Sequence, residues 1–325
     1  MHPAFSVIFL TTLIGAGQGL FLALYTGQLY SVFNLVPGQD SHTFYGYGSL
    51  LALIFLAMGL LASFFHLGHP ERAWRSAAMW RTSWLSREVI VLPSFMGMTF
   101  LYGLTHYLGF NPVLFTISDV FVVNLTLLLG FLATGLAFLL FLCTAMIYAC
   151  VKFLQEWATP LTVLNYTLLG AASGFTLATV FASYAGIQLV SFYAGWAIIL
   201  TSLAFISRIA SLIRNSLIKP KSTMTSAIGI RHTKIQQKSR GFMAGSFNTR
   251  EYFHNASAVL FRSIKWIFPI LVFVLPIMIL SSSTGTSSFA LFALAFIIQY
   301  TGLLAERWFF FAQANHPQNL YYQTI

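Results

Sequence analysis

Formal charge is so rare in this chain that its few acidic and basic side chains act as punctuation. None occurs in residues 1–39, 41–70, 89–118 or 120–151, and residues 157–207 and 266–305 are equally bare. A charge in the middle of a bilayer is costly, whereas an ordinary globular domain carries about 25% Asp, Glu, Lys and Arg. Here those residues make up 7% of a 325-residue chain that is 58% hydrophobic. Such a supply cannot cover a water-exposed surface. It excludes a soluble enzyme, a disordered protein and a nucleic-acid binder, despite a net charge of +10, and calls for a bilayer as solvent.

Each of the first four intervals holds one helical span of about 20 residues. The two longest hold two each, broken at Ser183-Tyr184-Ala185-Gly186 and at Ser281-Ser282-Ser283-Thr284-Gly285. The fold expected is all-α, a bundle of eight transmembrane helices in a single membrane domain over residues 1–325. The spans expected are about 5–32, 44–66, 88–109, 118–148, 160–183, 187–212, 259–280 and 287–310. The runs lack the period-2 alternation of a membrane barrel. The first segment has neither a basic leading region nor a small-residue cleavage site, and reads as a retained helix rather than a signal peptide. Pro93 is expected in the first turns of span three. Pro269 and Pro276 fall inside span seven and predict a kink supported by neighbouring helices. Gly15, Gly17 and Gly19, and Gly170, Ala171, Ala172 and Gly174, suit close helix packing, although small residues are frequent in membrane helices generally. Cys143 and Cys150 are too far apart on one helix for a disulfide, and two cysteines are too few for an iron–sulfur cluster.

With eight spans, both termini lie on one side, and all 17 Lys and Arg fall there too. The opposite loops hold only Asp40 and Asp119. The positive-inside rule places the basic side in the cytoplasm. The loop over residues 215–255 carries Lys219, Lys221, Arg231, Lys234, Lys238, Arg240 and Arg250 against Glu251 alone. A solvated face on anionic lipid accounts for such a loop. The glycines and aromatics of Gly241-Phe242-Met243-Ala244-Gly245-Ser246-Phe247-Asn248 favour a docking platform for soluble partners instead.

The segment from His66 to Glu88 packs four Arg, two His, two Glu and three Trp into 23 residues. An imidazole exchanges a proton near neutral pH, a carboxylate relays it, and a tryptophan offers a flat stacking surface. Those are the parts a quinone head-group needs. Each has a plainer alternative. Trp74, Trp80 and Trp84 suit an interfacial belt, Glu88 a first-turn acid capped by Ser86, and His66 an interfacial histidine without a task.

Three stretches carry a resemblance: His2 to Thr12, the run His66-Leu67-Gly68-His69-Pro70 with Arg72-Ala73-Trp74, and Ser83-Trp84-Leu85-Ser86-Arg87-Glu88. Together they resemble the membrane-anchor family of dimethyl-sulfoxide reductase-type molybdoenzymes. Ser226-Ala227-Ile228-Gly229-Ile230-Arg231 and Gly245 to Glu251 look like the subgroup that anchors quinone-dependent sulfite dehydrogenases. The resemblance implies a haem-free anchor with a quinone, ubiquinone or menaquinone, held by His66, Gly68, Arg72, Trp74, Ser76 and Glu88, with His66 and Glu88 as the catalytic pair. Trp74 is a larger ring than some members carry at its position. No metal ligand is expected in this chain. An iron–sulfur subunit would dock on loops 67–87 and 215–255, and a molybdopterin catalytic subunit would bind through it. Arg72 would position Glu71, Glu88 or the loop backbone, and Arg81 and Arg87 would serve docking.

The expected function is therefore to pass electrons from cytoplasmic sulfite oxidation to the quinone pool of a bacterial inner membrane, with both termini cytoplasmic. The first alternative is the quinol-oxidising anchor of a reductase for dimethyl sulfoxide or a related sulfur compound. A di-haem anchor lacks histidines within the spans, since only His66 and His106 touch them. A secondary transporter is disfavoured because no Asp, Glu, Lys or Arg is expected in mid-span.

Overall fold

The computed structural model describes residues 3–118, 121–219, 223–235, 258–282 and 288–314. Within them lie eight helical segments long and apolar enough to cross a membrane. They are α1 (Phe5–Val32), α2 (Tyr47–Phe64), α3 (Trp84–Leu108), α4 (Leu125–Ala149), α5 (Pro160–Ala185), α6 (Val190–Ser216), a composite seventh segment and a final helix. A five-residue helix, α7 (Met224–Ile228), follows α6, with a Thr223/Ser226 capping box. The seventh span comprises α8 (Ala258–Pro269), a π-helical turn (Ile270–Val274) and α9 (Leu275–Ser282), and α10 (Phe289–Ala312) completes the set. The chain is a multi-pass membrane protein of the all-α class. The ends of the bundle are distinguished here by charge: the basic end carries residues 65–83, 150–159 and the segment after α6.

Two helices form the axis. The most apolar windows of α1 and α5 are 78% and 72% buried, against 28–39% in the other six spans. Without a hydrophobic driving force between helices in lipid, close backbone approach must supply the cohesion. Gly15 faces Gly170, whose Cα would lie 3.4 Å from a Cβ on Gly15. A Cβ on Gly19 would fall 2.9 Å from the Gly174 Cα, and one on Gly174 would strike the backbone of Gly19. Gly17 faces α2 instead, against Ala52 and Leu56. The glycines on α1 and α5 therefore serve packing.

The boundaries depart from the expected ones where polar caps intervene. The second span starts with a π-helical turn, Ser41–Gly46, because Asp40 Oδ2 accepts from the backbone N–H and the hydroxyl of Thr43, both at 2.7 Å. Those hydrogen bonds hold the Asp40 carboxyl below its usual range. The third span starts at Trp84, four residues earlier than expected. Ser83 is its cap, its Oγ accepting from Ser86 N at 3.4 Å, and Ser86 is not. Glu88 consequently sits beyond the first turn, and Pro93 is interior rather than near the start. The fourth span begins at Leu125, not 118. Val113–Ser118 and Phe121–Asn124 pair as an antiparallel hairpin, β1 and β2, and Asn111 Oδ1 accepts from Thr126 N at 3.1 Å to start α4. The β-branched and aromatic run before Leu125 suits a pleated edge better than a helix.

The kink expected in the seventh span is a π-helical turn immediately after Pro269. Proline removes one backbone donor, so the widened turn leaves carbonyl groups for neighbours to satisfy. Gln299 of α10 donates to the Val272 carbonyl at 3.4 Å and to Thr201 Oγ1 of α6 at 3.2 Å. Cys143 is buried, Cys150 is exposed, and both are free thiols.

The axis yields a stability prediction. Gly174→Val should destabilise the bundle by about 1–3 kcal/mol through overpacking against α1. Gly97→Ala, whose Cβ would meet nothing within 4 Å, should leave stability unchanged. Thermal unfolding in detergent checks both.

Candidate functional site

Between α2 and α3 the chain keeps to the surface of the basic end. His66 and Leu67 close the α2 terminus with bonds to the carbonyls of Ser63 and Phe64, each 3.3 Å. A 3-10 helix, Pro70–Met79, follows and buries none of its residues. Glu71 anchors its start, with His69 Nδ1 at 3.1 Å and Arg72 Nε at 3.6 Å. Ser76 donates to the Ala73 carbonyl. Arg72 thus positions Glu71, one of its expected partners, and makes no ion pair with Glu88 among the described residues. Nothing lies within 4 Å of where a Gly68 Cβ would sit, so packing alone does not demand a glycine there.

Each tryptophan of the loop carries a guanidinium: Arg75 over Trp74 at 5.5 Å, Arg81 over Trp80 at 5.3 Å and Arg87 over Trp84 at 4.2 Å. Such contacts contribute about 0.5–1 kcal/mol at exposed positions. Arg87 does more. Its Nε and Nη2 donate to the carbonyls of Trp80 and Arg81 at 2.9 and 2.8 Å, fastening the end of the loop to the start of α3. Trp74 remains 71% exposed, a flat face without a partner ring among the described residues. His66 is exposed overall, yet partial desolvation lowers its pKa from the ordinary 6.5 and favours the neutral ring.

One helical turn further, Glu88 points the other way. It is buried, and its Oε1 accepts from Thr144 Oγ1 of α4 at 2.5 Å. Glu88 lines an interior cavity of about 20 Å³ together with Thr144, Tyr166, Ser173, Gln18 and Arg307. None of His66, Gly68, Arg72, Trp74 or Ser76 lines that cavity. The six expected residues therefore fall into two places: five on an exposed loop, and one carboxylate inside the bundle, one turn into the helix that follows that loop.

Sequence reasoning missed the rest of the interior. Arg208, Glu306 and Arg307 are 1%, 0% and 4% exposed, about two turns or less inside the ends of α6 and α10. All three lie toward the ends of their spans rather than in mid-span, but they are buried against one another instead of facing solvent. Arg208 Nε lies 2.7 Å from Glu306 Oε1, in ionic contact without hydrogen-bond alignment, and Arg307 Nη1 lies 3.4 Å from Glu306 Oε2. Arg307 also covers the Tyr166 ring at 3.6 Å, and Arg208 covers Phe268 at 5.5 Å. The available signal was the adjacent pair Glu306-Arg307 within an otherwise apolar run. At the opposite end of the bundle, His106 is buried with its Nδ1 2.6 Å from Ser41 Oγ. Among the described residues, no group of three or more His, Cys, Asp or Glu is placed to hold a metal ion.

Two comparisons bear on this arrangement. The family model described as DMSO reductase anchor subunit (DmsC) matches residues 1–322. A sulfite dehydrogenase subunit from Allochromatium vinosum is 56% identical over 325 residues, covering 100% of both chains.

The loop geometry generates a titration prediction. In a nanodisc, the His66 ring should take up its proton at a lower pH than the ordinary 6.5, because partial desolvation disfavours its charged form. A histidine-labelled NMR titration in which His66 titrates above that value would refute the geometry.

Proposed function

This chain belongs to the DMSO reductase anchor subunit (DmsC) family, and from that premise we propose that it is the quinone-reactive anchor of a sulfite-oxidising molybdoenzyme. The carrying observation is a buried carboxylate, Glu88, one helical turn into the helix that follows a loop exposing His66 and Trp74. The relative's name supplies the substrate: sulfite and water become sulfate, two protons and two electrons, and the electrons with two protons convert a quinone to a quinol. The first half of that chemistry belongs to a molybdopterin subunit. The electrons arrive through an iron–sulfur subunit seated on loops 67–87 and 215–255, although residues 220–222 and 236–255 of the second loop lie outside the described residues.

The residues present suit a quinone as substrate. The cavity beside Glu88, about 20 Å³, has room for water. We place the head-group between the exposed loop and Glu88, with Trp74 as its stacking surface. His66, neutral near pH 7, donates a hydrogen bond to one carbonyl oxygen, which polarises it. Glu88 delivers a proton at the carbonyl oxygen as charge accumulates there. Arg72 and Ser76 hold the loop, through Glu71 and the Ala73 carbonyl, and Gly68 leaves open space for the head-group.

The basic end is read as cytoplasmic, because all 17 Lys and Arg belong to it, a preference of about 1 kcal/mol for each near an anionic leaflet. In a bacterial inner membrane both termini would then face the cytoplasm. Protons released with sulfate and those taken up with quinol would cancel on one side.

In the assembled complex, His66→Leu and Glu88→Gln should each lower quinone reduction about a hundredfold or more, with sulfite oxidation by a soluble artificial acceptor intact. Loss of assembly in both variants would mark the pair as structural and refute the quinone site. A reporter fused after Ile325 should be active only as a cytoplasmic form. Sulfite should reduce the membrane quinone pool, and quinol oxidation by dimethyl sulfoxide without sulfite activity would select the reductase instead.

A further inference from the structure

The cavity beside Glu88 reaches further into the bundle than the quinone site requires. Glu88 lies four residues into α3, and Thr144 and Arg307 each lie five residues from the ends of α4 and α10. Gln18 and Ser173 lie thirteen residues into α1 and α5. At 1.5 Å per residue, the backbone positions that supply its polar side chains lie roughly 6 to 20 Å from the helix ends on the basic side. Among the described residues, Glu88 and Arg307 are the only charged side chains on that lining.

The charges nearby do not balance among themselves. Glu306 carries one negative charge for two buried arginines, and Arg208 takes the closer contact, 2.7 Å against 3.4 Å. Arg307 is the surplus cation. A buried surplus charge is costly unless a counter-charge or water satisfies it, and the carboxylate that shares its cavity is Glu88. A space of about 20 Å³ with several polar partners exceeds the roughly 10–15 Å³ that one water needs.

We propose that this cavity is a hydrated proton-transfer site, in which water held between Arg307 and Glu88 reloads Glu88 each time it gives up a proton. The inference rests on the reading of Glu88 as the proton donor to quinone. Each delivery breaks one O–H bond on Glu88 and makes one on a quinone oxygen. The cavity water then protonates the carboxylate and regains its proton from the aqueous phase at the basic end. Two such deliveries, with two electrons from the iron–sulfur partner, complete the quinol. The groups facing Glu88 are Thr144, Cys143 and Tyr148 of α4 and Tyr166 of α5, with Arg87 adjacent on α3. Those facing Arg307 are Tyr166, Glu306 and, beyond it, Arg208. From α1 come only the uncharged Thr11, Thr12 and Gln18.

The test uses the intact complex in nanodiscs with a short-chain ubiquinone analogue. Arg307→Met leaves the Arg208–Glu306 pair closed and should slow quinone reduction about tenfold. The solvent deuterium isotope effect should rise, the rate with an artificial acceptor should not change, and Arg307→Lys should recover most of the loss. Ser173→Val, which displaces water with hydrocarbon and alters no charge, should act in the same direction and decides the matter if Arg307→Met fails to assemble. Wild-type quinone rates and isotope effects in the assembled variants, with Glu88→Gln still inactive, would overturn the hydrated site and leave the quinone reading standing. A fully active Glu88→Gln would overturn both.

Discussion

The contact of α1 with α5 is the element on which the other helices depend. Lipid offers helices no hydrophobic reason to associate, so the bundle needs one place where backbones touch. Gly15 and Gly19 against Gly170 and Gly174 provide it. The most buried windows of the bundle belong to these two helices, and the remaining spans wrap them with one face toward lipid. The polar cavity lies along the same crossing, since Gly15, Gln18, Gly170 and Ser173 all line it. Small residues that let the backbones meet also leave a gap beside the seam, and the polar side chains around the gap make it habitable for water.

The number of spans was legible because charge is expensive in hydrocarbon, so gaps between charged residues are direct records of membrane crossings. The same reasoning misplaced the starts of spans three and four, because Ser83, Asn111 and the 113–124 hairpin act through hydrogen bonds that hydropathy does not register. That reasoning also put Arg208 and Arg307 toward the basic end and gave no sign that both are buried against Glu306. Nothing about Arg208 alone distinguishes a helix-terminal cation from one committed to Glu306 almost a hundred residues later. The His66–Glu88 segment was legible as a concentration of chemistry. Its division into an exposed loop and an inward carboxylate was not, because it depends on Ser83 starting α3 early enough to turn Glu88 toward Thr144.

The two parts of the site face different solvents. His66 and Trp74 meet water or a partner surface, where contacts are exchangeable and individually weak. Glu88 meets Thr144, Tyr166 and the Arg307 side of the cavity, where a lost partner is not replaced from bulk. The exposed loop and the buried carboxylate are thereby kept apart, with Glu88 one helical turn into the helix that follows the loop.

Arg87 gives that separation a mechanical side. Its guanidinium is bonded to the Trp80 and Arg81 carbonyls and lies over Trp84, so the last part of the loop and the first turn of α3 form one stiff corner. Glu88 is the next residue on that corner. The side chain that ties the end of the loop to the helix thus stands directly before the residue that turns inward to Thr144.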